Sequence, residues 1–66
     1  MNITVNGSRH IHRGDGSLAE FLKELNARPD HVAIVVNGRI VPKSERSSVR
    51  LRDGDQVEIL MFIGGG

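Results

Sequence analysis

Two Asn-Gly dipeptides, at 6–7 and 37–38, constrain the fold of this chain more than any other feature of its sequence. A two-residue type I′ hairpin turn needs positive φ at both central residues, and Asn-Gly is the pair that adopts it most readily. Residues 1–5, before the first dipeptide, alternate apolar and polar side chains, and residues 32–36, before the second, form a continuous apolar run. Both patterns are typical of strands, so the sequence predicts two β-hairpins.

The strands that return from these turns are predicted to be short. The first covers 8–12, with Ile11 as its inward residue, and ends at the polar turn 13–16. The second covers 39–41 and ends at Pro42, because proline cannot donate a hydrogen bond to a sheet ladder. Neither hairpin can therefore extend far from its turn.

One amphipathic helix is predicted between the hairpins. Ser17 and Glu20 have the spacing of a capping box, in which each side chain accepts a hydrogen bond from the backbone N–H of the other residue. Asn26 can end the helix in the left-handed conformation, and Pro29 prevents its continuation. Four apolar residues at helical spacing form a single stripe: Leu18, Phe21, Leu22 and Leu25.

The segment 43–50 is predicted to be a polar surface loop with room for at most one helical turn. A turn at 53–55 follows it and leads into the last strand, which is predicted at 56–63. Alternate residues of this strand face opposite sides of the sheet. One side carries Val57, Ile59, Met61 and Ile63, and the other carries Glu58, Leu60 and Phe62.

The order of these elements predicts an α+β fold of the β-grasp (ubiquitin-like) type. It has a mixed four- to five-stranded sheet with one main helix packed on one face. A helical crossover after the first hairpin allows the first and last strands to lie parallel at the centre, with the right-handed connection that such crossovers require. We expect one domain over 1–63 and a flexible C-terminal glycine tail over 64–66.

Composition argues against several classes of function. Nine Lys plus Arg against eight Asp plus Glu give a formal charge of +1, and Phe21 and Phe62 are the only aromatic residues, so nucleic-acid binding is disfavoured. No apolar run approaches the about 20 residues that span a membrane. There is no cysteine and no visible secretory signal, so we expect a cytoplasmic protein that is a monomer when free.

Candidate chemistry within the chain is sparse. No Ser/His/Asp constellation, phosphate-binding glycine loop or pair of buried carboxylates is evident, which argues against an enzyme. His10 and His12 have the spacing of two metal ligands on a strand, but no third ligand is evident, so we interpret them as solvent-facing residues of an edge strand and predict no metal site. With Arg9 and Arg13 they would form a small basic surface cluster.

The glycine tail, Gly64, Gly65 and Gly66, directly follows the last apolar strand. Glycine lacks Cβ, so its backbone can approach another molecule closely. The only reactive group on such a tail is the α-carboxylate of Gly66, which is ionised at neutral pH.

These features together resemble a known family. Residues 35–42 (VVNGRIVP), residues 53–59 (DGDQVEI) and the terminal glycines are similar to the sulfur carrier proteins of thiamine biosynthesis, over the whole chain. The molybdopterin synthase small subunit also ends in Gly-Gly, but it is usually longer and lacks the first segment. One departure is Arg46, near a position where family members often carry an aromatic residue.

The resemblance implies that the chain is a substrate of partner enzymes and not a catalyst. An E1-like adenylating enzyme would use ATP and Mg²⁺ to adenylate the Gly66 carboxylate. A sulfur donor protein would then convert the adenylate to a thiocarboxylate, and thiazole synthase would take the sulfur. The chain itself would bind no cofactor.

The last strand also suggests where a partner docks. Leu60 and Phe62, with Glu58, are predicted to lie beside the tail on the sheet face away from the helix, so we expect them to contact the adenylating enzyme. Three alternatives remain open: a carrier like the molybdopterin synthase small subunit, a ubiquitin-like modifier joined to lysines, and a non-catalytic β-grasp binding module.

Overall fold

The structure, a computed structural model, describes residues 1–26 and 32–61, with the backbone alone at Met61. Pro29, the predicted helix stop, lies outside the described residues. The helix and five strands are β1 (Asn2–Val5), β2 (Ser8–Ile11), α1 (Leu18–Glu24), β3 (Val32–Val36), β4 (Arg39–Val41) and β5 (Gln56–Met61). A 3₁₀ helix, Lys43–Ser48, lies between β4 and β5.

The five strands form one sheet in the order β2-β1-β5-β3-β4. β5 pairs in parallel with β1, where Val5 is opposite Val57, and antiparallel with β3, where Ile34 is opposite Ile59. The two outer pairs, β1 with β2 and β3 with β4, are antiparallel hairpins. This topology confirms the predicted β-grasp fold and the central parallel pair of first and last strands.

Both predicted hairpin turns have the conformation that their sequence demands. Asn6 and Gly7 have φ of 48° and 85°, and Asn37 and Gly38 have φ of 50° and 81°. Positive φ at both central residues is the requirement of a type I′ turn. The two dipeptides therefore form both hairpin turns, as predicted.

The helix packs its apolar stripe into the core. Its N-cap is Ser17, whose Oγ accepts from the Glu20 N–H at 3.4 Å, and Asn26 adopts a left-handed φ of 58°. The other half of the predicted capping box is wrong, because the Ser17 N–H donates to Asp15 Oδ1 at 3.1 Å. The buried core comprises Ile3, Val5, Leu18, Phe21, Leu22, Val32, Ile34, Val41, Leu51 and Val57.

The predicted inward position of Ile11 is wrong. The register of the first hairpin places Ile11 opposite Asn2, and His10 opposite the buried Ile3. Residues opposite each other in a sheet share a face, so Ile11 points away from the core and is 68% exposed. The first hairpin therefore contributes inward apolar side chains from β1 only.

His12 is not a solvent-facing residue, as the sequence interpretation had it, but part of the core. It follows β2 directly, is 2% exposed, and stacks edge-on against Phe21 with ring centroids 5.2 Å apart. Its Nδ1 lies 2.6 Å from Glu24 Oε2, so we assign the proton to Nδ1. Nε2 accepts from the Gly16 N–H at 3.1 Å, whereas the Gly14 N–H, 3.4 Å from Nδ1, gains no hydrogen bond there, because the protonated nitrogen cannot accept. A buried imidazole with both nitrogens occupied fixes the loop 12–16 against the helix.

This loop also contacts the segment before β5. The Gly16 carbonyl accepts from the Leu51 N–H at 2.6 Å, and Gly16 has a φ of 99°. A Cβ at position 16 would lie 2.8 Å from the Leu51 carbonyl oxygen, so only glycine fits this approach.

The segment after β4 differs from the prediction in length and in burial. The 3₁₀ helix has six residues, which is two turns where one at most was predicted. Arg46, expected on the surface of this loop, is 8% exposed, and its Nη2 donates to the Val32 carbonyl at 2.7 Å. Its guanidinium thus ties the 3₁₀ helix to the start of β3.

Asn6 and Asn37 hold β5 from both sides through their side-chain amides. Asn6 Oδ1 accepts from the Ile59 N–H at 2.9 Å, and its Nδ2 donates to the Ile59 carbonyl at 3.2 Å. Asn37 Oδ1 accepts from the Gln56 N–H at 2.9 Å, and its Nδ2 donates to Asp55 Oδ1 at 3.0 Å. The Asn6 amide continues the β1 ladder along β5 after β1 itself has ended.

No helix within residues 1–26 and 32–61 is long and apolar enough to cross a membrane.

The burial of His12 predicts a large loss of stability on its removal. We expect His12→Ala to lower the free energy of unfolding by about 3 kcal/mol, because it opens a cavity and leaves the Gly16 N–H unpaired. The exposed His10, changed to Ala, should alter it by less than about 0.5 kcal/mol. Urea unfolding of both variants measures the difference, and equal small effects would contradict the buried position of His12.

The amide contacts of Asn6 predict a second stability difference. Asn6→Gly keeps a residue that tolerates positive φ but removes both hydrogen bonds to Ile59, so we expect a loss of about 1–2 kcal/mol. Asn26→Gly is the matched control, because Asn26 is exposed and also has positive φ, but the structure shows no side-chain hydrogen bond for it among the described residues. Thermal unfolding should show a clear drop in melting temperature for the first variant only. A drop of similar size in both would refute a role for the Asn6 amide.

Candidate functional site

The candidate site is built on β5, the strand that precedes the glycine tail in the sequence. β5 lies between β1 and β3 and is described as far as the Met61 backbone, which is opposite Val32. The predicted tail, Gly64, Gly65 and Gly66, lies outside the described residues, as do Phe62 and Ile63. The site residues that the structure does place are those on the two faces of β5.

The inward face of β5 is as predicted. Val57 is fully buried, and Ile59 is half-buried and packs against the core cluster. These side chains anchor the strand beneath α1 by apolar burial, which contributes about 1.5–3 kcal/mol for a fully buried aliphatic side chain. Together with the amides of Asn6 and Asn37, they fix β5 in position and direction.

The outward face of β5 carries the two described docking candidates. Leu60 is 52% exposed and Glu58 is exposed, as the alternation predicted. The register places Leu60 opposite Ala33, and it places Glu58 opposite Val35. The third predicted docking residue, Phe62, lies outside the described residues.

The apolar surface around Leu60 extends across three strands. Val35, two positions from Ala33 on the same face of β3, is opposite Ile40 of β4, which is 71% exposed. The apolar side chains therefore run from Leu60 to Ala33, along β3 to Val35 and across to Ile40 at the sheet edge, and Glu58 is the β5 residue opposite Val35. We call Leu60, Ala33, Val35 and Ile40 the outer-face patch. Large exposed apolar side chains that are contiguous, unlike scattered ones, mark surfaces that bind other molecules.

His10 and His12 do not come together as two ligands of a metal site. His10 is exposed on β2, whereas both nitrogens of the buried His12 are occupied, Nδ1 by Glu24 and Nε2 by the Gly16 N–H. Within the described part of the chain, no group of three His, Cys, Asp or Glu side chains could hold a metal ion. The predicted basic cluster is accordingly reduced to Arg9, His10 and Arg13, since His12 is inside the core.

Sequence reasoning missed the role of Asn6 and Asn37 in this site. Both were assigned only a turn conformation, although each also binds the backbone at β5. For Asn6 the sequence prediction contained a signal that could have revealed this, because it placed the first and last strands side by side at the centre of the sheet. The asparagine that ends β1 must then lie next to β5, whereas the pairing of β3 with β5 was not predicted.

Comparisons with known proteins agree with this geometry. The model of the ThiS family matches residues 2–66. The sulfur carrier protein ThiS of Escherichia coli K12 is 34% identical, over the full length of both chains. A crystal structure of the thiamine biosynthesis protein ThiS from Geobacter metallireducens superposes with a TM-score of 0.84 at 35% identity and covers 100% of both chains.

A longer relative is also similar to the chain. The thiazole synthase of Paramagnetospirillum magneticum is 38% identical over 66 residues. The chain spans only 20% of that protein's length.

The fold and the full-length similarity to a sulfur carrier protein agree with the family resemblance found in the sequence. The strand order, the position of β5 and the matched residues 2–66 lead to one conclusion: this chain belongs to the ThiS family, the family of the sulfur carrier proteins of thiamine biosynthesis.

Proposed function

We propose that the chain carries sulfur as a thiocarboxylate on Gly66 and delivers it for thiazole formation. The observation that carries this proposal is the position of β5, the central strand of the sheet, which is held on both sides and is separated from Gly64 by only two residues after Met61. Because the central strand is fixed in the domain, a partner enzyme that binds the domain would always meet β5, the strand that leads to the tail, in the same position. Full-length similarity to a sulfur carrier supports the same role.

Carboxylate activation would occur in the partner enzyme. A Gly66 carboxylate oxygen attacks the α-phosphorus of ATP, bound with Mg²⁺ by an E1-like adenylating enzyme, and pyrophosphate leaves. A sulfur donor protein then supplies sulfur at the oxidation state of hydrosulfide, whose attack on the carbonyl displaces AMP. The products are the thiocarboxylate and AMP, so the chain contributes one acyl group and no cofactor.

The glycines suit this chemistry because they carry no side chains. Three extended residues span about 10 Å. A narrow enzyme channel can therefore surround the backbone and reach the carbonyl without steric conflict. The rest of the domain stays outside the channel and supplies the binding surface.

We propose thiazole synthase as the acceptor of the sulfur. The support is the relative named thiazole synthase, which contains a segment 38% identical to this chain within a protein about five times as long. Joining a carrier segment to a synthase in one polypeptide raises the effective concentration of one for the other.

The carrier role predicts a change in intact mass. After incubation with an E1-like adenylating enzyme, MgATP and a sulfur source, the mass should rise by about 16 Da, because sulfur replaces one oxygen. Thiol modification cannot imitate this change, since the chain has no cysteine. Omitting ATP, or deleting Gly65 and Gly66, should abolish the shift.

The E. coli ThiS protein serves as the positive control for the same enzyme preparation. An unchanged mass for this chain, while the control is converted, would contradict the proposed function. Conjugates of the chain with lysines of other proteins would instead indicate a protein modifier.

We further propose that the outer-face patch docks the adenylating enzyme. Leu60 lies on the strand that leads to the tail, and its exposed apolar surface is continuous with Ala33, Val35 and Ile40. Contact there would orient the chain end towards the enzyme, and Glu58 would border the contact on the same strand. Phe62 follows on the same strand in the sequence prediction.

Docking at this patch predicts different effects for two exposed apolar residues. Leu60→Gln should weaken binding of the adenylating enzyme by about tenfold, which corresponds to about 1.4 kcal/mol. Ile11→Gln is the matched control, because Ile11 is also exposed on the outer face but lies on β2, with β1 between it and β5. It should change binding by less than about twofold, and neither variant should alter stability by more than about 0.5 kcal/mol.

Titration calorimetry with the adenylating enzyme measures both affinities. Equal affinity of Leu60→Gln and the unmodified chain would refute docking at this patch. That result would not contradict the carrier role, which the change in intact mass tests separately.

A further inference from the structure

A second surface lies at the other end of the sheet, on the face that carries the helix. It is a groove of about 540 Å³ between the β3–β4 hairpin and the segment that precedes β5. Its apolar lining comes from Val36, Val41 and Val49, and its basic lining comes from Arg39, Arg50 and Arg52. The groove thus combines aliphatic and guanidinium groups.

Among the residues that the structure describes, only one of the three arginines of this groove has an ion-pair partner. Arg50 Nη1 donates to the Asp15 carbonyl at 3.2 Å and lies 3.5 Å from the Asp15 carboxylate. Arg39 and Arg52 are exposed, and the structure shows no ion pair for either among residues 1–26 and 32–61. Two guanidinium groups therefore remain available to an external anion.

Asp55, the acidic residue in the lining, already accepts hydrogen bonds on both carboxylate oxygens. Asp55 Oδ1 accepts from Asn37 Nδ2 at 3.0 Å, and Asp55 Oδ2 accepts from the Arg52 N–H at 2.8 Å. These bonds hold the Asp55 carboxylate in the turn before β5. Because Asp15 offsets Arg50, the fixed carboxylate of Asp55 faces two further arginines, Arg39 and Arg52, and the groove has an excess of positive charge.

The groove is separate from the outer-face patch. Arg39 and Val41 alternate with Ile40 along β4, so the groove and the patch lie on opposite faces of the sheet. Val36 is opposite Val57, whereas Met61 is opposite Val32, which puts the groove about 13 Å from the tail end of β5. A molecule in the groove therefore leaves the patch uncovered.

We propose that this groove binds an acidic peptide segment of a partner protein, with carboxylates on Arg39 and Arg52 and an aliphatic side chain against the valines. The valines distinguish this occupant from inorganic phosphate, which would leave them uncovered. Arginine guanidinium groups bind carboxylates in a planar, two-point geometry. Peptide binding in the groove does not require the Gly66 carboxylate or the adenylating enzyme. The binding experiment can therefore fail while the proposed carrier function holds, and the reverse is also true.

The test uses a fluorescein-labelled peptide of sequence ELELE, a neutral QLQLQ peptide and pyrophosphate, each titrated into the full chain. The acidic peptide should bind and should shift the amide NMR signals of Val36, Val49 and the residues near Arg52. QLQLQ should bind at least about tenfold more weakly, because charge complementarity is lost. Pyrophosphate should not displace the labelled peptide at equal concentration.

Charge-matched double variants test the position of the site. Arg39→Gln with Arg52→Gln should weaken ELELE binding by at least about tenfold. Arg9→Gln with Arg13→Gln lowers the formal charge of +1 by the same two units, on exposed residues at the other side of the sheet, and should weaken binding by less than about twofold. Unchanged melting temperatures verify that both double variants are folded.

Three results would overturn the proposal. Equal weakening in both double variants would mean non-specific charge attraction. Amide shifts confined to other residues would place the site elsewhere. Displacement by pyrophosphate at equal concentration would mean that the groove binds oxyanions and not a peptide.

Discussion

The structure depends on how β5 is held. This strand pairs with β1 on one side and β3 on the other, and the Asn6 and Asn37 amides add hydrogen bonds from the two hairpin turns. Asn6 reaches Ile59 across 53 positions of sequence, so both ends of the chain are tied together at this point. The parallel pairing of β1 with β5 requires a crossover, which α1 provides while it covers the inward face of the sheet. Each hairpin turn therefore both reverses the chain and anchors the central strand.

This arrangement assigns different tasks to the two faces of the sheet. The inward side of β5 is used for stability, through Val57 and Ile59. The outward side leaves Leu60 exposed beside Ala33, on the surface that we propose for docking. Alternation along one strand thus places a residue needed for stability next to a residue proposed for recognition. In the proposed carrier role this matters, because partners would recognise the folded domain while they act on Gly66.

Local features of the fold and the pairing of the first and last strands were predictable from the sequence, whereas long-range side-chain contacts were not. The Asn-Gly turns, the helix stripe and the alternation of β5 follow from the conformational limits and periodicity of short segments. The burial of His12 depends on Glu24 and Phe21 of α1 and on Gly16 of its own loop, and no periodic pattern reports these partners. Arg46 is buried because the Val32 carbonyl accepts from it across 14 positions. At the site, the exposure of Leu60 and Glu58 was predicted, whereas the amide contacts of Asn6 were not.

Hydrogen exchange of backbone amides, followed by NMR, tests most directly whether β5 is the fixed element of this fold. We predict that the Val57 and Ile59 amides exchange only through global unfolding, and far more slowly than the amides of the edge strand β2. The Ile59 amide is the critical one, because its acceptor is the Asn6 side chain. Exchange at Ile59 as fast as in β2 would show that β5 opens locally, and would contradict an account in which a rigidly held strand presents the chain end to partner enzymes.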